Sequence, residues 1–230
     1  MFDFTRKIRL YGFSKSLKFI IYELHNILWM RLVQHSYSQQ GEDIVIDALL
    51  GNKKSGFYVD VGAHDPVRFS NTKRFYNRGW RGINIDPNPL LMKNFEHSRK
   101  RDINLTLGVG KKNEQLIFYE FFPSTISTLS VKAVKTYQKE GFLLIGKKQV
   151  FVRKLEFILN KYCQGKRIDL LTIDAEGTDL EVLESNNWRK YKPRVICIET
   201  NKNDKVSGFL KKHGYKLKID NGLNSIFFVS

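Results

Sequence analysis

Residues 57–65 read Phe57-Tyr58-Val59-Asp60-Val61-Gly62-Ala63-His64-Asp65. A β-prone, mostly apolar run that carries one acid and then meets a glycine describes a buried strand handing over to a loop. Gly62 can take positive φ there and let the backbone approach a ligand closely. Outward from this junction, strand-like and helix-like stretches alternate: helix over 69–77, strand over 82–85, helix over 87–96, strand over 103–109. The order resumes with helix over 152–162, strand over 168–173, helix over 180–184 and strand over 194–198. Strands separated by single helices predict parallel pairing through right-handed crossovers, a doubly wound α/β sheet. Residues 116–122 read as an extra strand. Residues 215–219 and 225–229 flank Asp220-Asn221-Gly222-Leu223-Asn224, which predicts a C-terminal antiparallel hairpin. Residues 123–150 fit neither period and are expected to form a mobile insertion over a site.

The chain has 230 residues, 42% of them hydrophobic and 13% aromatic, enough to bury a core and too many for a disordered chain. Two cysteines, Cys163 and Cys197, lie far apart without spaced Cys/His pairs, which excludes a disulfide scaffold and a zinc or iron–sulfur site and suits a reducing compartment. No apolar run reaches the roughly 18 residues of a membrane span, and no signal-peptide cleavage pattern follows the N-terminus, so a cytoplasmic location is expected. The net charge of +16 points to an anionic partner. Phe13, Leu17, Ile20, Ile21, Leu24, Ile27, Leu28 and Leu32 recur at helical spacing and predict a basic amphipathic arm over 1–36, ahead of a domain over 37–230. Arg6, Lys7, Arg9, Lys15, Lys18 and Arg31 face only Asp3 and Glu23 in that arm. Two uses remain open for it: lying peripherally on an anionic membrane, or packing on the domain or on a second subunit. Gly41, Glu42 and Asp43 open a short helix that ends at Gly51.

Four acids stand where strands end: Asp60 in 57–61, Asp86 after Ile83-Asn84-Ile85, Asp174 after Leu170-Leu171-Thr172-Ile173, and Glu199 after Val195-Ile196-Cys197-Ile198. Each alone is an ordinary exit from a core. Together they converge on the crevice beyond the carboxyl ends of a parallel sheet, where such folds bind ligands. Asp86 follows Asp60 by 86 − 60 = 26 residues, close to the interval between a nucleotide-binding loop and the acid that grips ribose hydroxyls. The loop lacks G-x-G-x-x-G, with His64 and Pro66 in place of further glycines, which disfavours a dinucleotide and leaves room for an adenosine cofactor without phosphates. Ser70-Asn71-Thr72 opens the next helix, with Ser70 as N-cap and nearby N–H groups able to hold a carboxylate.

Tyr37-Ser38-Gln39-Gln40-Gly41-Glu42-Asp43, Tyr58-Val59-Asp60-Val61-Gly62-Ala63-His64, Ser70-Asn71-Thr72, Gly79-Trp80-Arg81-Gly82-Ile83-Asn84-Ile85-Asp86-Pro87 and Ile168-Asp169-Leu170-Leu171-Thr172-Ile173-Asp174-Ala175-Glu176-Gly177 together resemble the FkbM family of S-adenosylmethionine-dependent methyltransferases. The resemblance runs from about residue 37 to the C-terminus. It implies a class I, Rossmann-like methyltransferase sheet with a reversed strand near one edge, S-adenosylmethionine as cofactor, and O-methylation of a sugar hydroxyl. By matching motif it places Asp60, Gly62 and His64 beside the cofactor's methionine portion. It further places Ser70, Asn71 and Thr72 on its carboxylate, Asp86 on its ribose and Asp102 near its adenine. Many members have Asn then Gly after Gly-Ala, where this chain has His64-Asp65-Pro66. Asp174, Glu176 and Glu199 would face the transferred methyl. Like charges at adjacent strand ends either raise one carboxyl's pKa and make a base or share a divalent cation; metal-free catalysis is favoured, with His64 as an alternative base. Glu176 also reads as an acid favoured by a helix N-terminus. Arg99-Lys100-Arg101 and Lys211-Lys212 are candidates for holding a phosphate-bearing saccharide. RNA ribose methylation is the enzymatic alternative, although Glu199 stands where such enzymes want a lysine. A non-catalytic nucleic-acid or membrane module is the other.

Overall fold

The computed structural model describes residues 24–25, 28–32, 35–200 and 204–229. Most of the arm predicted over 1–36 therefore lies outside the described residues; within them, 24–25 and 28–32 are helical. Among the described residues no helix is long and apolar enough to cross a membrane.

In chain order the strands are β1 (Phe57–Val61), β2 (Arg81–Asp86), β3 (Ile103–Thr106), β4 (Gly108–Val109), β5 (Glu114–Phe122), β6 (Leu143–Arg153), β7 (Leu170–Ile173), β8 (Val195–Glu199), β9 (Tyr215–Asp220) and β10 (Asn224–Val229). The helices are α1 (Glu42–Leu49), α2 (Lys73–Asn77), α3 (Pro89–Ser98), α4 (Val131–Lys139), α5 (Leu155–Tyr162), α6 (Asp179–Glu184) and α7 (Asp204–Lys212). Seven strands form one sheet in the order β3-β2-β1-β7-β8-β10-β9. Its first five strands are mutually parallel, and β10 runs antiparallel to β8 and β9.

Both faces of this sheet are covered, which is why its central strands are mostly apolar runs. On one face Val59, Ile83, Leu171 and Ile196 pack with Ile158 and Leu159 of α5, Val182 of α6 and Leu210 of α7. On the other, Tyr58, Leu170, Val195 and Cys197 pack with Ile46 of α1 and Phe75 of α2. The register places the strand ends level: Val61 pairs with both Ile85 and Ile173, and Ile173 with Ile198. Gly62, Asp86, Asp174 and Glu199, each the next residue along, therefore come out side by side.

Three expected elements change. The helix predicted over 69–77 starts only at Lys73, because Phe69 takes φ +57° and 70–72 run as a loop. The strand predicted over 103–109 breaks into β3 and β4, which join different sheets. The helix predicted from 152 begins at Leu155, since β6 continues to Arg153. The stretch 123–150 folds as a 3-10 turn (Ser124–Ile126), α4 and most of β6. With β4 and β5 it builds a second sheet in the order β4-β6-β5. The predicted C-terminal hairpin is present as β9 and β10, with Gly222 at φ +86° in its turn.

Candidate active site

The strand ends open into a crevice of about 1060 Å³. Its floor depends on Gly62, whose φ is +77° and whose place a side chain cannot share: a Cβ there would stand 1.7 Å from the Asp174 carbonyl oxygen. The backbone closes around that contact, Asp174 N–H donating to Val61 O (2.9 Å) and Gly62 N–H to Ile85 O (2.9 Å).

Along the β1 and β2 side each acid is buried and supplied with donors. Asp60 Oδ2 accepts from the Thr72 hydroxyl (2.7 Å). Burial pushes Asp60 up to about 6, against the Thr72 hydrogen bond and the Arg99 charge. Asp86 accepts from His64 N–H through Oδ2 (3.1 Å) and from Asn88 N–H through Oδ1 (2.8 Å). Burial likewise pushes Asp86 up to about 6. Each carboxylate oxygen keeps a further lone pair for a hydroxyl. His64, at φ +50°, places Nε2 3.0 Å from Ser124 Oγ. Burial, helped by the Arg68 charge, drops its imidazole to about 4, so it is neutral at pH 7 and a poor base.

The loop 66–72 is held from behind by Arg99, which is fully buried. Its guanidinium donates to Pro66 O (2.7 Å), Ser70 Oγ (3.0 Å) and Tyr58 Oη (3.0 Å). Ser70 and Asn71 line the crevice, Asn71 Nδ2 donating to Thr172 Oγ1 (3.1 Å). Ser70 Oγ also accepts from Lys73 N–H (3.2 Å), although Thr72 is the residue at the cap position. Thr72 is wholly buried and serves Asp60, so it does not line the crevice. Two further sequence expectations fail here. Asp102 does not reach the crevice: it precedes β3, hence lies at the amino-terminal end of the sheet, where it accepts from Gly82 N–H (2.9 Å), Asn84 Nδ2 (3.0 Å) and the Tyr58 hydroxyl. Arg99 is no phosphate ligand, being internal, and Lys100, Arg101, Lys211 and Lys212 do not line the crevice either.

Across the crevice, at the ends of β7 and β8, acids crowd one another. Carboxylate oxygens of Asp174, Glu176 and Glu199 all lie within 4.8 Å. Asp174 opens to the crevice with protein behind it; that enclosure, then the charges of Glu176 and Glu199, hold its carboxyl well above the usual range. Glu176 takes φ +47°, which turns its side chain back toward its neighbours. Burial pushes it up to about 8, against a hydrogen bond from the Tyr137 hydroxyl to Oε2 (2.6 Å). The acids in the first turn of α6 are instead Asp179 and Glu181, and Asp179 also holds the loop before the helix, accepting from Ala175 N–H (2.8 Å) and Gly177 N–H (3.2 Å). The three oxygen donors are also a set that a hard divalent cation accepts.

Tyr137, Thr128 and Ser124 had no signal in the sequence. All come from the insertion, and each fastens it to the site: Tyr137 to Glu176 Oε2, the Thr128 hydroxyl to Glu176 O (2.7 Å), Ser124 to His64.

Compared with known families, residues 60–217 match the Methyltransferase FkbM domain, well over half of the chain. The chain belongs to the FkbM methyltransferase family. Its sheet order, with β10 reversed, is the class I methyltransferase arrangement. Among solved structures it is similar to an FkbM methyltransferase from Methylobacillus flagellatus KT, at 15% identity and TM-score 0.49, over 76% of this chain and 44% of that one. The chain thus spans less than half the length of that relative. It is also similar to a precorrin-6y C5,15-methyltransferase from Geobacter metallireducens GS-15, at 15% identity and TM-score 0.46, over 84% of this chain and 89% of that one. A third is TrmK from M. capricolum in complex with S-adenosyl-homocysteine, at 14% identity and TM-score 0.38, over 80% and 66%. No curated protein matches. The cofactor of the family is S-adenosylmethionine, and the residues present fit it. Gly62 gives the close approach, Asp86 offers acceptors to a vicinal diol, and the loop has no diphosphate cradle that would go unused.

Proposed function

We propose that this FkbM-family chain transfers a methyl group to a hydroxyl of a saccharide. The observation that supports this reading is the crowding of Asp174, Glu176 and Glu199 at one lip of the crevice. S-adenosylmethionine, when bound, supplies an electrophilic methyl on a sulfonium. The protein's part is to align the acceptor, exclude water and take up its proton. An aliphatic hydroxyl keeps its proton at neutral pH and needs a base at the moment of transfer. Mutual repulsion raises the affinity of the acidic trio for protons, so the proton leaving the hydroxyl passes to Asp174, the member most open to the crevice. Glu176, near 8, carries a proton at neutral pH and keeps the trio from holding its full negative charge.

The same crevice offers Gln39, Gln40, Asn71 and Asn224, amides that donate to and accept from neutral hydroxyls, and the indole of Trp29, a flat apolar face for a sugar ring. An RNA phosphate would instead meet the three carboxylates, and β8 ends in Glu199 rather than a lysine. The test is incubation with methyl-labelled S-adenosylmethionine and a panel of free glycans, nucleotide sugars, lipid-linked saccharides and RNA, followed by mass analysis. A labelled saccharide supports the reading; label confined to RNA ribose, or found nowhere, overturns it. Dialysis against EDTA is expected to leave the rate unchanged. A loss restored by Mg²⁺ would assign the trio to a cation.

A further inference from the structure

The family domain begins at residue 60, yet helical residues ahead of it line the crevice, Trp29 and Met30 among them. Met30 faces the domain: its carbonyl accepts from Ser36 N–H (2.8 Å), and its Cε is 3.9 Å from where a Cβ on Gly41 would stand. On an α-helix, residues two positions away on either side point to the opposite face. Leu28 and Leu32 are such residues, and Leu24 stands four positions before Leu28 in the sequence. These leucines are exposed by 43% (Leu24), 53% (Leu28) and 71% (Leu32), with Trp29 beside them at 50%. A stripe of leucines at four-residue spacing is the apolar face of an amphipathic helix, and no described residue covers it.

We propose that this stripe docks the protein on an anionic lipid surface, with the crevice mouth beside the membrane. Charge selects this occupant over a second copy of the chain. The arm carries Arg6, Lys7, Arg9, Lys15, Lys18 and Arg31 against Asp3 and Glu23, on a protein of net +16. Two such arms laid together repel, whereas leucines inserted at an interface with cations at headgroup level gain from both effects. This inference goes beyond the proposed reaction and does not depend on it.

Flotation of the full chain with phosphatidylcholine vesicles, with and without phosphatidylglycerol, tests the proposal. Binding is expected only with phosphatidylglycerol, falling as salt rises. The triple variant Leu24→Glu/Leu28→Glu/Leu32→Glu is expected to weaken it by about 100-fold, three membrane-inserted leucines being replaced by acids. Leu24→Ala/Leu28→Ala/Leu32→Ala is a gentler second variant and is expected to weaken it by about tenfold. Unchanged S-adenosylhomocysteine affinity in both variants shows that the domain is folded. Failure to bind phosphatidylglycerol vesicles overturns the proposal, as does binding that both variants retain. A dimer in light scattering that the variants dissociate, without vesicle binding, also overturns it and assigns the stripe to self-association.

Discussion

Asp60 and Asp86 differ from Asp174 and Glu176 in how their charge is received, although all stand at or near the ends of neighbouring parallel strands. On the β1 and β2 side, each carboxylate meets donors: Thr72 on Asp60, and two backbone N–H groups on Asp86. On the β7 side, carboxylates meet carboxylates. Acids held up to about 6 remain ionised at neutral pH and serve as fixed acceptors, whereas the raised Asp174 and the Glu176 near 8 take up protons in the working range. On the proposed reading, carboxyl groups are thus divided into binding and basic roles by their neighbours.

The largest effect is expected where the two sides interlock. Gly62→Ala forces a Cβ to within 1.7 Å of Asp174 O at a φ of +77°, a cost of about 4 kcal/mol or more. A thermal melt should fall by roughly 10 °C with loss of S-adenosylhomocysteine binding. An unchanged melt would show that the strand ends are not in contact. Next, Asp86→Ala removes the ionised acceptor proposed for both ribose hydroxyls and should weaken cofactor binding by about 100-fold, roughly 3 kcal/mol. In the wild-type protein the same affinity should hold above pH 6 and decline below it. As Asp86 gains a proton near about 6, one of its acceptor oxygens becomes a donor. Titration calorimetry across pH checks both expectations.

On the basic side, kcat/KM should rise with pH as the trio releases its proton, Glu176 titrating near about 8. Glu176→Gln removes the negative charge that Glu176 takes on near about 8, so Asp174 no longer loses its proton against that charge and the rising limb moves to lower pH by about one unit. A limb that stays in place would separate the base from the crowding. The smallest effect belongs to Tyr137→Phe. The Tyr137 hydroxyl lowers the pKa of Glu176; without it Glu176 keeps its proton to higher pH, puts less negative charge beside Asp174, and the limb shifts to lower pH, by about half a unit.

The binding side was legible in the sequence and the insertion was not. Runs such as 57–61 and 170–173 are mostly apolar and buried throughout because both faces of the sheet are covered, and that pattern implies crossovers and a crevice. The place of Asp86 after its strand was readable for the same reason. Asp102 was misplaced toward the adenine even though it precedes β3, and a residue that precedes a parallel strand lies at the far end of the sheet. The lysine-rich run Gly146-Lys147-Lys148-Gln149 hid β6: burial alternates over 147–152, but Lys148 takes an inner position and the exposed Phe151 an outer one, so residue type does not follow it. Tyr137, Thr128 and Ser124 reach the site from that segment through tertiary packing, which no local pattern encodes.

Asp174→Asn is nearly isosteric and removes the proton acceptor that faces the crevice. Its single-turnover rate of labelled methyl transfer, read beside its S-adenosylhomocysteine affinity, tests the division between binding and basic acids most directly. The rate should fall by about 10² to 10⁴-fold with the affinity unchanged. Wild-type transfer by this variant, or a fall in rate matched by an equal loss of affinity, would contradict it.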